Sequence, residues 1–180
     1  MGFADDQYIK EYKEQHTYPK IHDDIYSMHK HIDCKNIMDL GCCTGLLATH
    51  LSETYGTVIG IEPNKNYLKK APKTPQVKYY NFPITPKTLG VLDKVIKKHN
   101  IDTIFGRRVM PEIYNYGGEK LIKSLNKLFY NNNIRNIVLE GRIESKNSTH
   151  NLSNINKEIQ YFKDYDIKYT YKNCAILQRK

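Results

Sequence analysis

The sequence predicts an α/β fold: a doubly wound, seven-stranded, mainly parallel sheet that ends in an antiparallel hairpin and is preceded by N-terminal helices. Short apolar runs alternate with amphipathic helical patterns along the 180 residues, which is typical of parallel strands joined by helices. The last two apolar runs, residues 167–171 and 174–178, face each other across Lys172-Asn173 and predict a hairpin. Such a hairpin adds an antiparallel edge to a parallel sheet.

The individual elements follow from apolar spacing and from turn residues. Leu46, Leu47 and Leu51 have helical spacing after the first strand. Asn64 and Pro72 predict the start and the end of the next helix. Strands are predicted at residues 37–40, 58–61, 77–80, 101–105, 134–140, 167–171 and 174–178. Helices are predicted at residues 6–15, 20–32, 44–55, 64–71, 86–99, 118–130 and 155–165.

The chain length predicts one domain, with residues 34–180 as its core and residues 1–33 as a helical extension or lid. No run of about 18 apolar residues occurs, so no membrane span is expected. The start of the chain lacks the basic and then apolar pattern of a signal peptide. The four cysteines form no CxxC pair and no zinc-like spacing with histidine. We therefore expect reduced thiols, no metal site and a cytoplasmic location.

The net charge of +9 has two interpretations. Of the 28 basic residues 23 are lysine, and the chain is also rich in Asn, Ile and Tyr. That joint bias is typical of an AT-rich genome (viral, phage or low-GC bacterial) and would mean a solvated lysine surface. The alternative is an anionic substrate or partner, including nucleic acid. The sequence leaves both open.

A glycine turn between the first strand and the next helix is the main functional motif. It reads Asp39-Leu40-Gly41-Cys42-Cys43-Thr44-Gly45, and a second acid, Glu62, ends the following strand. A glycine turn lets a ligand approach the backbone, and a carboxylate can accept hydrogen bonds from both hydroxyls of a ribose. The spacing is G-x-x-x-G and not the G-x-G-x-x-G of dinucleotide enzymes, which disfavours NAD.

This arrangement resembles the S-adenosylmethionine site of class I methyltransferases, over about residues 34–179. The turn of that family is usually D/E-x-G-x-G-x-G, and Cys43 here replaces the middle glycine. The resemblance implies that Asp39 lies near the methionine ammonium group and that Glu62 holds the ribose. It also implies that the turn lines the cofactor through Gly41, Cys42, Cys43 and Gly45.

Each of these assignments has a structural alternative. Asp39 can be a buried acid that caps the following turn, and Glu62 can be an acid that offsets a helix dipole. The resemblance further makes Pro63 a hydrophobic wall and places Asn81 and Phe82 at the adenine, where Asn81 bonds the amino group and Phe82 packs on the ring. The alternative for Asn81 and Phe82 is an ordinary strand-to-helix turn.

The end of the fourth strand carries two arginines and no familiar methyltransferase motif. The D/N-P-P-Y/F platform of amino-group nucleic-acid methyltransferases is absent there, and no cysteine follows a proline. The resemblance makes this strand end the lining of the methyl channel, with Arg107 beside the cofactor. Arg107 and Arg108 can bind a carboxylate or phosphate of a substrate. Alternatively, they are surface cations.

Glu140 ends the fifth strand and completes the predicted catalytic set with Arg107 and Arg108. It can act as a general base or bind a substrate amine. A salt bridge with Arg107, Arg108 or Arg142 is the alternative. Three weaker candidates for the same cleft are Tyr114, Tyr116 and His150, whereas His16, His22, His29 and His31 are interpreted as helix-surface residues.

The resemblance implies an S-adenosylmethionine-dependent methyltransferase acting on a small or anionic acceptor, or on RNA or protein presented by a partner. Two other classes stay open. The first is a catalytically inactive binding or accessory protein of the same fold. The second is another enzyme that uses S-adenosylmethionine, or an NAD-dependent reductase.

Overall fold

The computed structural model describes residues 22–142, 152 and 154–180. Its strands are β1 Asn36–Leu40, β2 Thr57–Ile61, β3 Val77–Tyr80, β4 Thr103–Arg107, β5 Asn136–Glu140, β6 Tyr165–Tyr171 and β7 Cys174–Arg179. Its helices are α1 Asp23–Ser27, α2 Leu46–Thr54, α3 Lys65–Leu68, α4 Leu89–Lys98, α5 Met110–Asn131 and α6 Ile155–Ile159. A 3₁₀ turn, Met28–His31, follows α1.

The seven strands form one sheet in the order β3-β2-β1-β4-β5-β7-β6. Strands β1 to β5 are parallel, and β7 is antiparallel to both β5 and β6. The predicted fold class, including the hairpin, is confirmed. The chain moves outward from β1 to β3 and then crosses back to β4, so the strand order reverses between β1 and β4. In open α/β sheets, ligands bind beyond the carboxyl ends of the strands at such a reversal.

Alternate residues of the strands point to opposite faces of the sheet, and each face has its own core. Ile104 packs with Leu92 of α4 and Phe129 of α5 on one face. Phe105 packs on the other face with Leu51 of α2 and with residues of α1 and the 3₁₀ turn. Ile25 and Met28 are fully buried there, so the described part of the N-terminal region covers the sheet. The division at residue 33 stays a prediction.

The predicted strands at residues 101–105 and 134–140 each begin two residues too early. The amides of Ile101 and Ile134 donate backward, to Ile96 O and Phe129 O, each over 3.1 Å. The residue before each of them, Asn100 or Asn133, has a positive φ. This is the helix-ending arrangement in which a left-handed residue turns the next amide back to the helix. The two isoleucines therefore close helices instead of joining the sheet.

Two helix predictions also differ from the structure. Helix α5 begins at Met110 and not at residue 118. Gly118 (φ 60°, ψ −157°) is a bend inside this helix, and the residues before the bend are helical as well as those after it. Helix α6 ends at Ile159, and β6 starts two residues earlier than predicted, at Tyr165. The Tyr165 hydroxyl donates to Ile134 O over 3.1 Å, which holds the start of β6 against the sheet.

One more predicted helix starts later in the structure, and two predicted segments cannot be compared with it. Helix α4 begins at Leu89 and not at residue 86, since Thr88 Oγ1 donates to Pro83 O in a turn that precedes it. The predicted helix at residues 6–15 and most of the polar loop at residues 145–154 lie outside the described residues. Within the part of the chain that the structure describes, no helix has the length and hydropathy that a bilayer crossing requires.

Candidate cofactor site

The backbone of the turn between β1 and α2 is held by left-handed residues and by hydrogen bonds to β2. Gly41 and Gly45 have φ values of 67° and 73°, and Cys43 has a φ of 51°, which is unusual for a residue with a side chain. The amides of Gly41 and Cys42 both donate to Ile61 O, over 2.8 and 3.1 Å. The turn is thereby tied to the carboxyl end of β2.

Protein side chains approach the backbone of this turn closely. A Cβ atom on Gly41 would lie 2.6 Å from a methyl group of Val109, and one on Gly45 would collide with the Tyr79 hydroxyl. The sulfur of Cys42, which is itself buried, packs against Gly60 of β2. The small residues thus permit close packing within the protein. That Gly41, Cys42, Cys43 and Gly45 also contact a cofactor stays a prediction.

Glu62 extends its carboxylate across the glycine turn. Its Oε2 accepts a hydrogen bond from Cys43 N over 3.0 Å, and its Oε1 accepts one from Asn64 N over 2.8 Å. The residue is 5% exposed. Burial raises the pKa of Glu62, and the two backbone bonds partly offset that rise. Each carboxylate oxygen can accept a second hydrogen bond, so two further hydroxyl donors can still be held.

Asp39 lies beneath the same turn, at the end of β1, and is 2% exposed. Burial, followed by the nearby Glu62 carboxylate, raises the pKa of Asp39 to about 8, and a hydrogen bond from Ala48 N–H opposes this rise. The capping alternative therefore describes part of its role. Its Oδ2 atom has no hydrogen-bond partner in the described part of the chain. A buried oxygen of this kind suits a cationic or hydrogen-bond-donating ligand.

The predicted adenine residues lie beside Glu62, at the carboxyl end of β3. The Asn81 Nδ2 atom donates to Glu62 O and to Pro63 O, both over 2.9 Å. The amide nitrogen is thus committed to the main chain, and the amide oxygen is the atom suited to an adenine amino group. Phe82 is partly buried against the core, and Pro63 is partly exposed. Their contacts with an adenine stay predictions.

The predicted catalytic residues form one ion-pair cluster at the ends of β4 and β5. Arg107 Nε lies 3.2 Å from Glu140 Oε2, and Arg108 Nε lies 3.0 Å from Glu140 Oε1. Arg108 N also donates to Glu140 O over 2.7 Å, with Arg108 at a φ of 53°. The salt-bridge alternative is therefore present. A general-base role for Glu140 stays a prediction.

Sequence reasoning missed two buried groups near this cluster. His22, interpreted as a surface residue, is 6% exposed, and its pKa is lowered to about 3 by burial and by the charges of Arg107 and Arg108. Glu158 of α6 is 1% exposed, and burial raises its pKa to about 8. Nothing in the local sequence marks either residue, because tertiary packing alone buries them.

The remaining candidates occupy the edge of the site or lie outside the description. Arg142 pairs with Glu112 of α5 over 2.6 Å. Tyr114 packs partly against the core, and Tyr116 is 40% exposed. His150 is outside the described residues. In the portion that is described, no group of three or more His, Cys, Asp or Glu side chains is arranged to hold a metal ion.

No family model and no curated protein matches the sequence. The structure resembles TehB from Haemophilus influenzae, with a TM-score of 0.67 and 16% identity over 97% of this chain and 66% of that one. It also resembles a SAM-dependent methyltransferase from Anabaena variabilis, with a TM-score of 0.65 and 13% identity over 96% of this chain and 91% of that one.

A third similar structure is WbdD, a bifunctional kinase-methyltransferase. Its TM-score is 0.65 at 14% identity, and the match covers 94% of this chain but only 41% of WbdD. The chain thus spans about two fifths of the length of WbdD. Together these matches show that the protein has the fold of class I S-adenosylmethionine-dependent methyltransferases, as the sequence predicted. At these identities the likeness concerns the fold.

Proposed function

We propose that the protein is an S-adenosylmethionine-dependent methyltransferase that acts on a small or anionic acceptor. One observation carries the proposal: the Glu62 carboxylate lies 3.0 Å from the amide of Cys43, on the adjacent strand end. The two residues are 19 positions apart in the sequence. Their contact brings a ribose-binding type of acid onto a glycine turn at the point where the strand order reverses.

The buried polar groups of this site fit the parts of the cofactor. The Asp39 Oδ2 atom, which lacks a partner among the described residues, suits the methionine ammonium group. The second acceptor positions of Glu62 suit the two ribose hydroxyls. The amide oxygen of Asn81 suits the adenine amino group, with Pro63 and Phe82 as apolar neighbours. Gly41, Cys42, Cys43 and Gly45 would form the backbone wall between these groups.

When bound, the cofactor supplies an activated methyl group on a sulfonium, so the chain has mainly to position the acceptor. Alignment of two reactants can contribute roughly 7–11 kcal/mol to such a step. Arg108 is the better substrate ligand of the two arginines, because its side chain is 38% exposed and that of Arg107 is 15% exposed. A half-exposed guanidinium beside the cleft favours a carboxylate or phosphate on the acceptor.

A second candidate function is a cofactor-binding accessory protein without catalysis. The observation that favours it is the double ion pair of Glu140, whose two oxygens are both engaged by guanidinium groups. Glu140 is also only 5% exposed, so an acceptor that must lose a proton would have little access to this carboxylate. For the first candidate, the methyltransferase, the proposed acceptors include RNA or a protein presented by a partner, and the proposed location is the cytoplasm.

The first test measures binding by calorimetry with S-adenosylmethionine, S-adenosylhomocysteine and NAD. We expect the first two to bind and NAD not to bind. Replacement of Glu62 by alanine, Glu62→Ala, removes hydrogen bonds to a charged acceptor and should weaken S-adenosylmethionine binding about 100-fold. The matched control is Glu53→Ala on α2, where a 66% exposed carboxylate is removed; its affinity should equal that of the wild type.

Binding of NAD in place of S-adenosylmethionine, or equal affinities for Glu62→Ala and the wild type, would contradict the proposal. Thermal unfolding of each variant shows whether it is folded. A screen for S-adenosylhomocysteine formation with small-molecule, RNA and protein acceptors then separates the two candidates. Cofactor binding with turnover supports the methyltransferase, and binding without turnover on any acceptor supports the accessory protein.

A further inference from the structure

The excess positive charge of the chain is concentrated in one segment. Residues 63–92 contain six lysines and no acidic residue or arginine. This sixth of the chain therefore carries +6 of the net charge of +9 and leaves +3 for the other 150 residues. A general compositional bias would spread lysine among acidic residues, as it does elsewhere in the chain. The concentration indicates a local electrostatic surface.

The fold places this segment along one edge of the sheet, and we call its six lysines the basic edge. All six are exposed, on α3, on β3 and in the loops that follow them: Lys65, Lys69, Lys70, Lys73, Lys78 and Lys87. The segment itself contains no carboxylate to neutralise them. The segment lies on the β3 side of the molecule, next to the end of β2 that carries Glu62.

An open groove of about 610 Å³ lies in the same surface, between the end of α3 and β3. Its walls include Leu68, Pro72, Val77 and Tyr79, and Lys69 and Lys73 also line it. The groove is formed by residues 68–79, whereas the predicted cofactor residues of this side, Glu62, Pro63 and Asn81, are not among its lining. Apolar walls beside two cations suit a ligand that is flat, apolar and anionic at once.

We infer that the basic edge and its groove bind single-stranded nucleic acid, with phosphates on the lysines and a base in the groove. A nucleic-acid strand presents a phosphate and a flat base in every nucleotide, which matches this pairing of charge and apolar wall. An acidic peptide added as a further strand fits less well. The edge strand β3 has only four residues and carries the exposed Lys78, features that oppose strand addition.

The test measures fluorescence anisotropy of labelled oligouridylate and oligodeoxythymidylate of about 12 nucleotides, without cofactor. The wild type should bind, with an affinity that falls as salt rises. The double variant Lys69→Glu/Lys73→Glu should bind at least about tenfold more weakly, with a shallower salt dependence. Its matched control, Lys120→Glu/Lys127→Glu, changes the net charge equally at two exposed positions of α5 and should bind within about twofold of the wild type.

A second variant tests the groove apart from the charge. Ala71→Phe places a ring among the lining residues and should weaken binding about fivefold with an unchanged salt slope, since a stacked base would lose its place. Thermal unfolding shows that each variant is folded. Because no cofactor is present in these assays, their outcome is independent of the Glu62→Ala test of the proposed function.

Three outcomes would overturn the inference. The first is an equal loss of binding in the two lysine double variants, which would show a response to net charge alone. The second is binding of a polyglutamate peptide at least as tight as that of the oligonucleotides, which would indicate an acidic protein partner. The third is the absence of oligonucleotide binding at physiological salt.

Discussion

The two halves of the strand-end surface bury carboxylates in opposite ways. At the ends of β1 and β2, Asp39 and Glu62 accept hydrogen bonds from backbone amides, and neither forms an ion pair in the described part of the chain, although the charge of Arg107 opposes the rise in the Asp39 pKa. At the ends of β4 and β5, Glu140 accepts from the guanidinium groups of Arg107 and Arg108. The two halves lie in one sheet, on either side of the point where the strand order reverses.

This difference distinguishes the proposed binding site from a cluster whose charges are already paired within the protein. A buried carboxylate without a cation is costly, and the raised pKa values of Asp39 and Glu62 express that cost. A ligand with an ammonium group and hydroxyls would supply a cation for Asp39 and hydrogen-bond donors for Glu62. Glu140 is already satisfied by the protein, so its main effect is to hold two arginines in place. The comparison predicts that the same kind of change has opposite effects on the two sides.

The largest loss of stability is expected for Glu140→Gln. This change leaves two guanidinium groups beside each other without their shared anion, and it should lower the free energy of unfolding by about 3 kcal/mol. Urea unfolding measures the loss. Glu119→Gln is the control, because it breaks an ion pair with Lys123 whose side chains are both more than half exposed and should cost less than about 1 kcal/mol. Similar losses in the two variants would contradict the structural role of Glu140.

The opposite result is expected for Asp39→Asn. The Asp39 pKa of about 8 is raised from 3.8, so between about pH 4 and pH 8 the folded state keeps a proton that the unfolded state has released. Stability from this group is therefore greatest below that window and falls as the pH rises through it. Asparagine removes the penalty and should stabilise the free protein at pH 8 by on the order of 2–4 kcal/mol.

The same variant should lose affinity for S-adenosylmethionine, because asparagine offers an ammonium group a neutral amide oxygen in place of a negative charge. Urea unfolding at pH 5 and pH 8 and calorimetry with the cofactor measure both effects. The gain in stability should be smaller at pH 5 than at pH 8. Equal stability of Asp39→Asn and the wild type at both pH values would contradict the assignment of Asp39 as an uncompensated buried acid.

The smallest effect is expected for Asn64→Ala, which tests a helix cap next to Glu62 at the end of β2. The Asn64 Oδ1 atom caps α3 by accepting from Asn66 N over 2.9 Å, and its loss should cost about 1 kcal/mol of stability. The Asn64 backbone amide still donates to Glu62, so cofactor affinity should stay within about threefold of the wild type. A loss of affinity as large as that of Glu62→Ala would show that the cap orients the carboxylate.

Local chemistry made some parts of this molecule predictable. The contact between Glu62 and the glycine turn followed from two strands of predictable length, since parallel strands end at the same level and the register pairs Leu40 with Ile61. The start of α3 followed from a capping asparagine. The starts of β4 and β5 did not follow, because Ile101 and Ile134 are apolar like strand residues and their amides turn back to helices.

The buried polar groups were the least predictable part. His22 and Glu158 are both buried, His22 near Arg107 and Arg108 and Glu158 near Glu140 and Arg142, and these neighbours are distant from them along the chain. The pairing of Glu140 with both arginines was one of several alternatives, and only the adjacency of β4 and β5 selects it. The choice among charge partners depends on distances of a few ångströms, which local sequence patterns do not contain.

The order of strands and helices, the glycine turn and the acid that faces it were determined by the sequence itself. Apolar periodicity and turn chemistry act within a few residues, so they can be read along the chain. Tertiary structure alone decided which charges are paired, which acids stay outside any ion pair, and that the segment with six lysines lies at an edge of the sheet. Those properties arise from segments that meet only when the sheet is assembled.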